Sequence, residues 1–160
     1  MSEVKQQKRG RRIAMSPEEV DAFLGEERTC RVATVTADGR PHVMPMWFVW
    51  DGTSVWLNSI VKSQRWTDLT RDPHVAVVID AGHEFYELRG VEVQGTIEVV
   101  GDVPRTEQHE PELVRPEALM ASKYTSSDEF RPDGRHAWLR ITPTKLVSWD
   151  FRKNPALQPS

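Results

Sequence analysis

The sequence predicts a mainly β protein with short helices, folded as an antiparallel barrel, and three observations lead there. Segments of strand length recur, with Asp-Gly turns at Asp38-Gly39 and Asp51-Gly52 between them. Period-two alternation is clear late in the chain, where Val91, Val93, Gly95, Ile97 and Val99 alternate with Glu92, Gln94, Thr96 and Glu98. Helical stretches are too few for the one-helix-per-strand rhythm of a parallel sheet. At 160 residues the chain fits one domain. A domain of that size buries about 70% of the surface its unfolded chain exposes, enough for a core without staples.

The first element is a helix opening at Ser16-Pro17-Glu18-Glu19. Ser16 caps it, Pro17 suits its first turn, and Glu19 reaches back to complete a capping box. Val20, Phe23 and Leu24 supply its apolar face, and Gly25 offers a stop. Strands over 30–36, 41–50 and 54–59 follow as a three-stranded meander through the two Asp-Gly turns. A short helix fits 62–70, with Trp66 and Leu69 on one side and Asp72-Pro73 closing it. Residues 75–80 are an apolar run of strand length, and 91–99 is the alternating strand. From 104 to 132 the chain turns polar and proline-punctuated, with helical character over 117–124. Such an excursion in a compact domain is more often functional or mobile than core. Two closing strands, 138–142 and 145–151, flank Thr142-Pro143. The barrel domain thus covers 15–153, between a flexible basic tail over 1–14 and a short tail over 154–160.

Composition narrows the function. The formal net charge of −3 argues against coating nucleic acid. Six tryptophans beside a basic N-terminus would suit base stacking, but Trp47, Trp50, Trp56 and Trp138 fall in strands, where core packing accounts for them. No nucleic-acid partner is expected. A single cysteine, Cys30, permits no internal disulfide and suits a reducing compartment. Arg11-Arg12 precedes Ile13-Ala14-Met15-Ser16-Pro17 rather than an apolar stretch, and no run is long enough to span a bilayer. No membrane partner and a cytoplasmic location are expected. The histidines show no metal-ligand spacing, so no metal is expected. No Ser-His-Asp or Cys-His arrangement stands out and no catalytic residue is assigned; Lys123, Tyr124 and His136 could each give a proton to a product, but nothing in the sequence gathers them.

Two segments carry the functional signal. In the strand over 41–50, one face holds Val43, Pro45, Trp47 and Val49, and the other Met44, Met46, Phe48 and Trp50. A hairpin strand normally leaves one side polar. If one apolar face fills a barrel, the other meets a helix, a second subunit or a flat ligand, and so much apolar surface favours dimerisation. Patterning alone fits a central strand under a helix equally well. Pro45 cannot donate a ladder bond, which places it at an edge or bulge where a planar ring could approach. The second segment runs from Asn58 to Trp66 and leads from a strand into a helix. Unpaired amides at a helix start favour an anion. Lys62 and Arg65 lie three apart, on one helical face, and Ser59 and Ser63 add hydroxyls, together a phosphate cradle. From composition alone, a solvated helix surface is the commoner meaning of such residues.

Taken in order, Arg31-Val32-Ala33-Thr34-Val35, Asp38-Gly39-Arg40-Pro41-His42, Pro45-Met46-Trp47-Phe48, Asn58-Ser59, Lys62-Ser63-Gln64-Arg65, Arg71-Asp72-Pro73 with Val75-Ala76-Val77, Arg89 to Gly95, and Ser148-Trp149-Asp150-Phe151-Arg152-Lys153 resemble the split β-barrel flavin and deazaflavin oxidoreductases related to pyridoxamine 5′-phosphate oxidase. The resemblance is closest to the actinobacterial branch that uses coenzyme F420. It implies an F420-dependent reductase passing a hydride to a small conjugated or quinone-like substrate. The alternatives are an FMN-dependent pyridoxamine 5′-phosphate oxidase-like enzyme and a protein that binds F420 or flavin without turnover. It also implies a homodimer, with the coenzyme ring along Met44, Pro45, Met46 and Trp47 and its phosphate at Asn58, Ser59, Lys62, Ser63 and Arg65. Trp149 and Lys153 would approach from the other subunit, and Arg89 would contribute as well. The chain is shorter than the pyridoxamine phosphate oxidases and lacks their C-terminal basic cluster, which sets it apart from vitamin B6 oxidation.

Overall fold

A computed structural model describes residues 3–159. Within them the order is α1 (Pro17–Glu26), β1 (Thr29–Val35), β2 (Pro41–Trp47), β3 (Val49–Trp50), β4 (Val55–Ile60), α2 (Gln64–Arg71), β5 (His74–Ala81), β6 (Arg89–Val100), α3 (Val114–Tyr124) and β7 (His136–Asp150), with short 3-10 turns between. Every strand pair is antiparallel, in one sheet ordered β2-β1-β5-β6-β7-β4-β3. The edge strands β2 and β3 are successive pieces of chain joined through Phe48. A sheet whose opposite edges share one residue must curl until they meet, which makes it a split barrel.

The barrel interior takes alternate side chains from five of the strands: Cys30 and Val32, Val55 and Leu57, Val75, Val77 and Ile79, Val91 and Val93, Leu139 and Ile141. Val20, Phe23 and Leu24 of α1 and Leu69 of α2 pack into the same core. The opposite face of β4 and β7 is apolar too. Trp56 and Trp138 join Val49, Val100, Leu113 and Met120 in a second core, to which α3 contributes.

The capping box at Ser16 and Glu19 forms as expected, and Gly39 and Gly52 take the positive φ of 81° and 99° that their turns require. Gly25 does not end α1; the helix runs on to Glu26, and the Glu27 amide closes it on the Phe23 carbonyl. The three-stranded meander is not what forms. The 41–50 strand breaks at Phe48, so β2 pairs with β1 alone and β3 with β4. The cause is Tyr124, whose hydroxyl accepts from the Phe48 amide at 3.1 Å and lies 2.7 Å from both the Phe48 and Arg28 carbonyls. A side chain thus takes the place of a ladder partner.

Other boundaries shift for identifiable reasons. The two closing strands are one, β7, because a bulge absorbs Pro143: Gly95 faces Pro143 and Gln94 faces Lys145, leaving Thr144 as the extra residue. Gly95 is needed there, since a Cβ would stand 2.2 Å from the Thr142 carbonyl oxygen. α2 starts at Gln64, with Ser63 as its cap, so Lys62 precedes the helix instead of sharing a face with Arg65. The basic segment before Met15 runs beside β7: the Lys5 amide donates to Thr144, and the Gln7 side chain bonds both backbone groups of Ser148. The cations Lys5, Lys8, Arg9, Arg11 and Arg12 stay exposed.

Candidate functional site

Ser59, at the end of β4, faces the barrel interior and is fully buried. Its Oγ accepts from Arg65 Nε at 3.2 Å. Arg65 is only 8% exposed, and among the described residues no carboxylate lies within ion-pair distance of it. Burial lowers its pKa, yet a guanidinium stays charged. Its two terminal nitrogens have no partner among the described residues and are not fully buried, so they are open to an anion from outside the chain. Cys30, on β1, is the ladder partner of Met46, which packs against the core. Cys30 itself is inert, its thiol pushed up to about 12 by burial.

The remaining expected residues divide. Ser63 spends its Oγ as an acceptor from the Trp66 amide, and Lys62 is exposed beside it. Pro45 lies on the edge strand, as its missing donor requires, opposite Arg31. Within one chain β2 is largely uncovered, with Val43 at 62%, Met44 at 42% and Trp47 at 54% exposure, while Met46 packs against the core. Arg89, Trp149 and Lys153 gather at the far end of β7. Arg89 is 4.0 Å from Glu27 and lies over the Phe23 ring, Trp149 crosses Gly90, and Lys153 bonds Glu19 and the Ala14 carbonyl. One chain does not bring these three to Arg65.

Asn58 departs most. It sits on the opposite face of β4 from Ser59, in the wall of a cavity of about 670 Å3 that the sequence did not reveal. That volume is in the ordinary ligand range of roughly 300–1,000 Å3. Trp47, Met120, Tyr124, Phe130 and His136 share the wall. Trp47 stacks on Tyr124, with ring centroids 4.4 Å apart. Asn58 Nδ2 is buried without a partner. Of the three proton-donor candidates, Lys123 is elsewhere, donating to the Leu24 carbonyl. Tyr124 is committed to backbone, its hydroxyl pushed up to about 12 by burial. His136 alone keeps a ring nitrogen available: Nδ1 lies 2.6 Å from Asp133, leaving Nε2. The polar loop before β7 was the only sequence signal for this cavity, and a loop does not show what it folds over.

The antiparallel split barrel thus carries a nearly buried cation, Arg65 of α2, beside Ser59 at the end of β4. The family model for pyridoxamine 5′-phosphate oxidase matches residues 16–150, and the chain belongs to that family. It is similar to the solved structure of a conserved hypothetical protein of Mycobacterium tuberculosis, Rv2991, at 30% identity over 98% of this chain and 96% of that one, with a TM-score of 0.77. It is also similar to an F420 reductase, at 25% identity over 79% of this chain and 94% of that one, TM-score 0.60. A FAD-binding protein of Mycobacterium smegmatis shares the fold, at 20% identity over 85% of this chain and 95% of that one, TM-score 0.61. No curated protein matches the sequence. No helix among the described residues is long and apolar enough to cross a membrane.

Proposed function

We propose that this protein is an oxidoreductase that binds the deazaflavin coenzyme F420 at the Ser59–Arg65 corner and acts on a small conjugated or quinone-like substrate. The observation that carries the reading is Arg65, a nearly buried cation whose one neutral partner is Ser59. A phosphate would complete it: Arg65 can offer two nitrogens in a fork, with Lys62 and the Ser63 hydroxyl at the α2 start adding charge and a donor. The likeness to an F420 reductase supports F420 over FMN. When bound, the deazaflavin supplies the hydride chemistry. The chain's own residues hold the phosphate, offer the apolar edge of Met44, Pro45 and Met46 to a flat ring, and exclude water from it.

The reading includes a homodimer. Val43, Met44 and Trp47 are exposed on a single chain, and Arg89, Trp149 and Lys153 reach a coenzyme at Arg65 only from a second copy. Titration of the purified protein with F420, followed by deazaflavin fluorescence, should saturate at micromolar concentrations. Arg65→Gln should weaken binding about 10- to 100-fold, the equivalent of one charge-assisted bond of about 1.5–3 kcal/mol. Equal affinity in the variant would remove the corner from the site, and saturable binding of FMN with none of F420 would give the protein to the flavin alternative.

A further inference from the structure

Asp68 is a fully buried carboxylate that phosphate binding leaves unused. It follows Arg65 by one turn on the inward face of α2. Its Oδ2 accepts the Thr34 hydroxyl at 3.0 Å and its Oδ1 the Gln64 amide at 2.8 Å. Arg71 lies 3.8 Å from Oδ1, and His42 Nδ1 lies 3.5 Å from Oδ2. Burial alone would raise the Asp68 pKa, but the Gln64 and Thr34 bonds and the charges of Arg71 and His42 bring it below the ordinary value. The carboxylate is therefore ionised. Thr34 has one proton to give and gives it to Asp68, so Thr34 Oγ1, 3.4 Å from His42 Nδ1, turns a lone pair to the imidazole, as does Asp68 Oδ2. Two acceptors keep a proton on Nδ1, and Nε2 is the nitrogen that gains or loses one. Nε2 makes no hydrogen bond among the described residues. The charged groups on the elements around His42 are Arg65, Asp68 and Arg71 of α2, with Arg40 turned to Asp38 and Arg31 turned outward to Asp80.

Strand register carries this imidazole to the apolar edge offered to the ring. Cys30, Val32 and Thr34 are buried on the inner side of β1, and their ladder partners Met46, Met44 and His42 share that side. Met46 packs against the core, Met44 is 42% exposed, and the His42 side chain is 28% exposed. The inner side of β2 thus opens towards its His42 end. At about 3.3 Å per residue, His42 stands about 7 Å beyond Met44, a distance that a ring of three fused cycles spans. We propose that His42 hands the substrate its proton, with Asp68 as the positioning residue, an assignment that rests on the F420 reading of the Ser59–Arg65 corner. Reducing a conjugated carbonyl takes one hydride and one proton. A C–H bond forms at the far carbon, the π electrons shift until the carbonyl pair rests on oxygen, and that oxygen takes the Nε2 proton of the imidazolium. The neutral imidazole then takes up the proton released when the reduced coenzyme loses its hydride, so two electrons and two hydrogens pass to the substrate in all.

Two measurements test this. In the coenzyme-free protein, long-range proton–nitrogen NMR of the imidazoles should find the neutral His42 proton on Nδ1, and Asp68→Asn should release that preference. In the F420-loaded protein, stopped-flow oxidation of reduced F420 by menadione should slow as pH rises and the imidazolium is lost. His42→Gln should slow it about 100-fold and flatten that pH profile, with F420 affinity unchanged, and Asp68→Asn should move the fall to lower pH. Melting curves confirm that each variant folds. A His42 with its neutral proton on Nε2 overturns the proposal, as does a His42→Gln variant with the native rate and profile. Should Asp68→Asn fail to fold, the native tautomer and His42→Gln still decide. Failure of the native chain to bind F420 overturns the coenzyme reading and this assignment with it, whereas normal F420 binding beside an unaffected His42→Gln overturns this assignment alone.

Discussion

Lys123 carries its ammonium into the seam between α1 and the barrel, where Nζ donates to the Leu24 carbonyl at 2.9 Å and lies 4.1 Å from the centroid of the Phe48 ring. Burial disfavours the charged form and brings its pKa down to about 8, from an ordinary 10.5. Between those values the unfolded chain holds a proton that the folded one has released, so stability rises with pH across the window. Tyr124 next to it acts in the opposite sense. Its hydroxyl is raised from 10 to about 12, and the folded chain loses stability above pH 10. The unfolding free energy of the native chain should climb relative to that of Lys123→Met as pH goes from 8 to 10, measured by urea unfolding at each pH. Parallel curves would show that the amine is not desolvated as described. Neighbours in sequence can differ as sharply as these two. Lys62 and Arg65 read as one basic pair, yet only Arg65 is buried, because the cap at Ser63 starts the helix one residue too late to align them.

α1 is legible to its first residue because every partner of its capping box lies within four positions of Ser16. The break between β2 and β3 is not, because the group that makes it, the Tyr124 hydroxyl, is 76 residues from Phe48. Nothing in the alternation of 41–50 marks Phe48 as different from its neighbours. That one hydroxyl sets where the barrel splits, so Tyr124→Phe leaves a buried Phe48 amide without a partner. It should cost about 1–3 kcal/mol in urea unfolding, and it should also loosen the Trp47 stack on the cavity wall. A loss well below that range would mean that the Phe48 amide finds a second partner. The bulge at Thr144 is a similar case. Pro143 announces an interruption of the ladder, but only the pairing of Gly95 with Pro143 shows that the strand absorbs it and continues.

The sheet is closed on the inside and leaves apolar side chains open on the outside of β1 and β2, where Val35 and Val43 are 41% and 62% exposed. The doubly apolar strand is a surface in need of a cover, as its pattern implies, although its own chain covers less of it than the pattern suggests. In the proposed dimer this face is buried. The native chain should then show twice the chain mass by light scattering at tens of micromolar, and Val43→Glu should shift it to the single mass with its melting curve still cooperative. A variant that stays dimeric would place the interface on another face. The sequence by itself determined the β class, the start of α1 and the Asp-Gly turns, since each rests on dihedral preferences or on groups a few residues apart. The tertiary structure alone decided which side of β4 each side chain takes, and with it that Asn58 leaves the Ser59–Arg65 corner for a cavity shared with His136. Strand alternation separates adjacent residues onto opposite faces, while the partners that make either face a site arrive from distant parts of the chain.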